Sequence, residues 1–300
     1  MRAFLIAFFA AYANLTTAMV SPEVSAKTYG FVGTGTMSSA IVRGLATLER
    51  PPAVILISPR NAAKAAALAA AFPGLVTVAA DNQAVVDGCE VVMIGVLPTI
   101  AEETCRALRF KPSQTVISLV STAPLEGLRV WCAGVPSESV VRAIPLPPVS
   151  KHEGATILTP PHELAVAVFS ALGTAVPVAT EETMKKMMPV TGLMGQFYAM
   201  QRATQTWVQA QGVPAEDAAR YVGAVFHCIT YDTAEAGAET FDHLVKEQTV
   251  GGINEQVVRE LTEAGAYDAL SDSLDAILAR VEGRPAPRKL KRPYQATDEA

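Results

Sequence analysis

Cysteine and histidine are scarce in this 300-residue chain, four of each. Cys89, Cys105, Cys132 and Cys228 are widely scattered, with no C-x-x-C pair and no histidine at metal-ligand spacing. No H-x-x-x-H pair occurs, and His227 and Cys228, as neighbours on a helix, point to different sides. A metal site therefore has no support, and reduced structural thiols are the expectation. Positive charge is also short, with 24 Lys and Arg against 29 Asp and Glu and a formal net charge of −5. That excludes an extended nucleic-acid surface, which needs clustered cations to displace counterions. The dense basic run Arg288-Lys289-Leu290-Lys291-Arg292 lies in a Pro-containing tail, residues 284–300, read as a solvated disordered end. Apolar runs long enough to span a bilayer are missing as well. The run from Ala3 to Ala13 is too short, and the polar residues Asn14, Thr16 and Thr17 bring it to an end.

The chain begins with Met1-Arg2, that short apolar run, and then small residues, a pattern of signal-peptide type. Residues 1–27 are therefore expected to be a targeting segment, directing the chain to the secretory route or an organelle. A misplaced start codon or an unprocessed apolar arm stands as the alternative, with a cytoplasmic protein as the result. No stable membrane span is expected in the mature chain.

Half of the residues are apolar, and the length exceeds what one core usually organises, so two domains are expected. From Thr28 to about Thr180, short β-branched runs alternate with Ala-rich stretches of helical period, as in a parallel sheet covered by helices. The expected strands are Tyr29–Val32, Val54–Ser58, Leu75–Ala79, Val91–Val96, Thr115–Val120, Val140–Ala143, Ala155–Leu158 and Ala175–Val178. Helices are expected over Ser38–Leu48, Ala62–Ala71 and Ile100–Leu108. After about Glu181 the strand signal ends and long amphipathic helices take over: Glu181–Gly212 with a break near Pro189, Ala215–Ala236, and Ile253–Ala264. The fold class is thus an α/β Rossmann-type domain, residues 28–180, followed by an all-α domain, residues 181–283. The apolar face through Tyr221, Val222, Val225, Phe226 and Ile229 needs more cover than one small helical domain provides, which points to a homodimer or higher homo-oligomer.

The sharpest local pattern is Gly30-Phe31-Val32-Gly33-Thr34-Gly35-Thr36-Met37-Ser38, running from a strand through a glycine turn into a helix. Gly33 suits the tight turn. Gly35 lets the backbone approach a pyrophosphate resting on the helix N-terminus, and Ser38 is a compact third position. Thr34, Thr36 and Met37 complete this half of a dinucleotide site. The second strand ends in Ser58-Pro59-Arg60-Asn61, without the carboxylate that would grip ribose hydroxyls and repel a 2′-phosphate. Ser58, Arg60, Asn61 and Lys64 are instead donors to a phosphate dianion, which favours NADPH over NADH; a solvated loop charge is the plainer alternative for Arg60.

With these motifs in place, the chain resembles the pyrroline-5-carboxylate reductases, which reduce a cyclic imino acid to proline with NAD(P)H. The resemblance extends over most of residues 28–283. It rests on the Gly-Phe-Val-Gly-Thr-Gly-Thr-Met opening and on Val141-Arg142-Ala143-Ile144-Pro145, similar to the family's Arg-x-Met-Pro segment. Val96-Leu97-Pro98 stands where the family usually has Val-Lys-Pro, which places these residues at the cofactor. Thr249-Val250-Gly251-Gly252-Ile253-Asn254 stands where it shows Ser-Pro-Gly-Gly-Thr-Thr. The resemblance implies a helical dimerisation domain, an active site shared across the dimer, a small imino-acid substrate and a place in proline biosynthesis. Thr191 and Asn254 would then serve catalysis, with Gly192, Thr249, Gly251 and Gly252 binding substrate. A protonated imine is already electrophilic and needs mainly orientation. The departures are equally definite. Thr191-Gly192 is kept, but Leu193-Met194 comes next where the family has a second Ser-Gly, Leu97 replaces Lys, and Leu146 replaces Asn. A more apolar imine, a related Rossmann oxidoreductase with another substrate, and a non-catalytic dinucleotide-binding dimer all remain open readings.

Overall fold

The computed structural model describes residues 22–233, 235–285 and 287. Most of the expected targeting segment and nearly all of the basic tail lie outside these residues. The chain divides into two compact units, the first ending at Met184 and the second beginning at Lys185.

The first unit holds one eight-stranded sheet in the order β3-β2-β1-β4-β5-β6-β7-β8. Its strands are β1 Tyr29–Val32, β2 Ile55–Ile57, β3 Val76–Val78, β4 Val91–Ile94, β5 Thr115–Ser118, β6 Val140–Pro145, β7 Gly154–Thr159 and β8 Gly173–Pro177. Every neighbouring pair is parallel except β6 with β7. β1, β4 and β5 are buried along their whole lengths, so their sequences read as unbroken apolar or small runs rather than as alternation. The helices of this unit are α1 Pro22–Ser25, α2 Thr36–Ala46, α3 Ala62–Ala71, α4 Asn82–Asp87, α5 Ala101–Arg106, α6 Leu125–Trp131, α7 Glu163–Ala171 and α8 Glu181–Met187, the last running across the division. They cover two apolar clusters. One gathers Phe31, Ile41, Leu45, Met93, Val168 and Phe169, and the other gathers Val85, Val92, Ile94, Cys105, Leu128 and Cys132.

α1 belongs to the folded sheet unit. Val24 is fully buried in the first cluster, and its carbonyl accepts a hydrogen bond from the Tyr29 hydroxyl at 3.0 Å. Ser25 Oγ donates to the Arg50 carbonyl at 2.8 Å, and Lys27 pairs with Glu90 at 2.9 Å. Residues 22–27 are therefore built into the folded unit.

The second unit contains α9 Leu193–Ala210, α10 Ala215–Ile229, α11 Thr240–Lys246, α12 Ile253–Glu263 and α13 Ala266–Val281. The break expected near Pro189 is a 3-10 turn over Met188–Gly192. α9 packs on α10, where Phe197 meets Phe226 edge to face at 5.5 Å between ring centroids. α13 packs against both α12 and the Met188–Gly192 turn. The expectation of a helix through Ala236 is corrected: α10 ends at Ile229. The Thr230 hydroxyl bonds the His227 carbonyl at 2.7 Å and the Thr233 hydroxyl bonds the Thr230 carbonyl at 2.9 Å, turning the chain. Among the described residues, no helix is long and apolar enough to cross a membrane, and no group of three His, Cys, Asp or Glu gathers as for a metal.

Candidate dinucleotide site

The connections leave β1 toward β2 on one side and β4 on the other, so the carboxyl ends of these three strands form a topological switch point, where open α/β sheets bind ligands. Three expected segments meet there. Gly33 has φ +99°, and a Cβ on it would sit 2.5 Å from the Gly95 carbonyl oxygen and 3.0 Å from Val96 Cγ1. Glycine is thus required at 33 by the protein itself.

Gly35 differs. It is the N-cap of α2 with φ −81°, and a Cβ there would meet only the Gly95 oxygen, at 3.6 Å. Nothing within the protein demands glycine at this point. No side chain caps the helix either, so its first N–H groups remain free to meet a ligand. A bare helix N-terminus beside an unfilled Cβ position fits a pyrophosphate brought against the backbone.

The second-strand segment divides into residues that build and residues that face outward. Ser58 is fully buried, and its hydroxyl accepts from the Gly33 N–H at 2.9 Å. Its carbonyl accepts from the hydroxyl of buried Thr34 at 2.7 Å. Both residues therefore hold the glycine turn in shape and sit within it. Asn61 caps α3 by accepting from the Lys64 N–H at 3.3 Å. Arg60 and Lys64 are exposed, and Lys64 Nζ donates to Thr36 Oγ1 at 3.3 Å, joining the two loops. Met37 packs against the core. Leu97 is 68% exposed at the N-cap of the 3-10 turn Pro98–Ile100, so it presents a bare apolar surface beyond β4.

Sequence reasoning missed Gly95. A Cβ on it would lie 2.1 Å from Ser38 Oγ, and the fully buried Ser38 hydroxyl has no hydrogen-bond partner. Ser38 of α2 and Gly95, the residue after β4, therefore lie directly against one another. The signal available was a lone glycine directly after the apolar run Val91–Ile94.

Arg142, part of the Arg-x-Met-Pro resemblance, is 2% exposed within β6. It ion-pairs with Glu181 at the start of α8 and donates from Nη2 to the Ser121 carbonyl at 2.6 Å. The same Glu181 oxygen accepts from the Leu125 N–H at 2.7 Å. This charge pair, buried at Arg142 and partly exposed at Glu181, fastens the end of the sheet domain to the loop before α6.

In the second unit, Thr191 lies in the Met188–Gly192 turn and its hydroxyl donates to the Met188 carbonyl at 2.8 Å. Its lone pairs stay available as acceptors. A Cβ on Gly192 would reach Ile277 at 3.1 Å, which explains the small residue where α13 passes. Thr249–Gly252 forms a turn closed by the Gly252 N–H to the Thr249 carbonyl at 2.9 Å, with Gly251 at φ +73°. Gly252 caps α12, again with no side-chain cap. The Asn254 amide donates to Gln248 at 2.9 Å. Among the described residues, no hydrogen bond joins Thr191 to the Gly251–Asn254 turn. Val250 is 94% exposed beside it.

Comparison with known proteins agrees with this architecture. Residues 28–122 match the family model described as NADP oxidoreductase, coenzyme F420-dependent. No curated protein matches the sequence. Among solved structures, the pyrroline-5-carboxylate reductase of Coxiella burnetii is 22% identical with a TM-score of 0.73, covering 86% of this chain and 98% of that one. The enzyme of Streptococcus pyogenes is 19% identical with a TM-score of 0.71, covering 86% and 99%. That of Plasmodium falciparum, solved with NADP bound, is 16% identical with a TM-score of 0.68, covering 87% and 98%. The chain thus has the fold of the pyrroline-5-carboxylate reductases, as its motifs led one to expect.

Proposed function

We propose that this protein is an NADPH-dependent reductase of a cyclic imine, acting on pyrroline-5-carboxylate or a related imino acid. The observation that carries the reading is the open, uncapped N-terminus of α2 behind Gly35, with Ser58 and Thr34 holding the glycine turn from beneath. The reduced dinucleotide supplies the hydride; the chain supplies binding and orientation. Gly33, Thr34, Gly35 and Thr36 would hold the pyrophosphate end, and Val96, Leu97 and Pro98 would border the cofactor on the β4 side. Arg60 and Lys64 supply positive charge for the 2′-phosphate, which supports NADPH over NADH.

Backbone N–H groups at the free N-terminus of α12, after Gly251 and Gly252, are suited to a substrate carboxylate, with Thr249 closing that turn. Thr191 can accept a hydrogen bond from an iminium N–H, because its own proton is committed to Met188. Asn254 acts through the same turn. The bulk of Leu193 and Met194 and the exposed Val250 support an imine more apolar than pyrroline-5-carboxylate itself. A second copy of the chain is the fitting cover for Tyr221, Val225 and Ile229 on α10 and Ile253, Val257 and Leu261 on α12, two exposed apolar stripes at i, i+4, i+8 spacing.

The test is NADPH oxidation by the full chain, offered pyrroline-5-carboxylate and then a panel of cyclic imines, with dinucleotide affinity measured alongside. Turnover on any of these supports the reading, and the best substrate identifies the class. Tight NADPH binding without turnover on any imine replaces it with a non-catalytic dinucleotide-binding dimer.

A further inference from the structure

A cleft in the sheet domain starts at Thr36, on the edge of the glycine turn, and runs between α2 and α3. α3 is almost all alanine, so little side-chain bulk fills the space between the two helices, and a volume of about 390 Å³ stays open. That is the size of a small-molecule pocket. Thr36, Ala40 and Arg43 recur at helical spacing on α2 and share one face, as do Lys64, Ala67 and Leu68 on α3. The 3-10 turn Pro147–Lys151 forms a further wall. It is fixed from behind: Val149 is fully buried, and the His152 Nε2–H donates to the Gly44 carbonyl of α2 at 2.9 Å.

The charge of the cleft is of one sign. Arg43 and Lys64 line it and no carboxylate does. Among the described residues the Arg43 guanidinium has no hydrogen-bond or ion-pair partner. Lys64 Nζ donates to Thr36 Oγ1 at 3.3 Å, which leaves the Thr36 proton free to donate in turn. Ser39 and Ser150 also line the cleft, but their protons go to the Gly35 and Pro147 carbonyls at 2.8 and 3.2 Å. Arg43 lies about 10 Å along α2 from Thr36, and helix side chains lean toward the N-terminus, so its long arm reaches back up the cleft toward Lys64. An anion between the two takes charge-assisted hydrogen bonds from both, while Ala40, Ala67, Leu68 and Pro147 give an apolar wall for the group it carries.

We propose that this cleft binds a small phosphate monoester with an apolar body, the dianion between Arg43 and Lys64 and the body against Ala40, Ala67 and Pro147. A dianion matches two cations drawn from two helices, whereas a carboxylate matches one. The consequence rests on the reading of Lys64 as a donor to the 2′-phosphate of NADPH: a ligand in the cleft draws the same ammonium away from that phosphate. It thereby weakens NADPH and leaves NADH, which has no 2′-phosphate, unaffected. By reciprocity, NADPH weakens the ligand by the same factor.

The probe is phenyl phosphate, titrated by calorimetry into the full chain, alone and saturated with NADH so that the glycine turn is filled. The expected result is one saturable equivalent on the NADH complex, weakened about tenfold or more by Arg43→Gln, which removes a charge-assisted contact, and likewise by Ala67→Leu, which fills the cleft. Phenol, benzoate and inorganic phosphate each lack part of the probe and should bind more weakly by a similar factor. Arg43 and Ala67 are exposed, so an unchanged NADH affinity in both variants reports an intact fold. Saturating probe is expected to raise the Kd for NADPH about fivefold and leave that for NADH unchanged. Absence of saturable binding, binding indifferent to Arg43→Gln, or benzoate binding as tightly as phenyl phosphate overturns the proposal. Equal weakening of both dinucleotides also overturns it, by placing the anion at the glycine turn. If neither dinucleotide binds, the cofactor reading fails, and titration of the chain alone against its Arg43→Gln variant still decides the cleft.

Discussion

The hydroxyl of Ser58 accepts a hydrogen bond from the backbone N–H of Gly33 at 2.9 Å, so the end of the second strand supports the turn at the end of the first. Ser58→Ala leaves that N–H without its partner in a partly buried place and is expected to cost about 1 kcal/mol of stability. Affinity for NADPH and NADH should fall together, because the damage is to the shared turn. Denaturant unfolding and fluorescence titration with both dinucleotides check this; loss of NADPH affinity alone would place Ser58 at the 2′-phosphate instead.

Arg60→Ala carries the opposite expectation. Loss of a charge-assisted contact worth roughly 1.5–3 kcal/mol weakens NADPH by about 10- to 100-fold and leaves NADH unchanged. Lys64→Ala should act in the same direction and more weakly, since Lys64 also spends a hydrogen bond on Thr36. Equal affinities for the two dinucleotides in the wild-type protein would remove the basis for this preference.

The two glycines of the turn separate folding from binding. Gly33→Ala meets a carbonyl oxygen at 2.5 Å and holds alanine at φ +99°, so the melting temperature should drop clearly. Gly35→Ala meets nothing closer than 3.6 Å and should cost at most about 1 kcal/mol, while NADPH binding is lost. Circular-dichroism melting with a parallel binding titration distinguishes the two. Undiminished binding by Gly35→Ala contradicts a pyrophosphate at this helix end.

Removing the Glu181 charge leaves the buried Arg142 guanidinium without that counter-charge. Glu181→Gln is expected to destabilise the protein by roughly 3–5 kcal/mol, Arg142→Met by less because Glu181 is partly exposed, and the double variant to recover part of the loss. Denaturant midpoints for the four proteins give the coupling directly.

His162 gives the fold a pH dependence. Its Nδ1 accepts from the Ala165 N–H at 3.4 Å as the cap of α7, and burial holds its pKa below the ordinary 6.5. The folded chain thus favours neutral histidine while the unfolded chain takes up protons below about 6.5. This part of the stability is complete above that pH and is lost as pH falls through the folded value. The denaturant midpoint should decline from pH 7.5 to 5.5 in the wild type, and less so in His162→Asn, which keeps a capping acceptor.

Much of this architecture was legible because buried parallel strands leave little ambiguity. Runs such as Val91–Ile94 and Thr115–Ser118 are apolar or small throughout, and glycines mark the turn after β1. The helix Ala62–Ala71 was readable to the residue. The helical domain was harder. α13 starts directly after Gly265, whose φ of +71° ends α12, so two helices are separated by a single short turn that has no proline to announce it. At the site, residue type could name Ser58, Thr34 and Asn61 as polar groups near a cofactor. Whether each faces ligand or backbone depends on burial between strands, which only the assembled sheet decides. Gly95 escaped for the same reason, since its constraint comes from a helix more than fifty residues earlier.

Where Ser38 meets Gly95, between this helix and this strand, there is room for a single small side chain; here the helix furnishes it and the strand forgoes its own. The third glycine of a dinucleotide-binding turn has in effect moved from the helix to the neighbouring strand. Exchanging the two residues, Ser38→Gly with Gly95→Ser, should preserve the spacing, whereas Gly95→Ser alone asks two side chains to occupy one place.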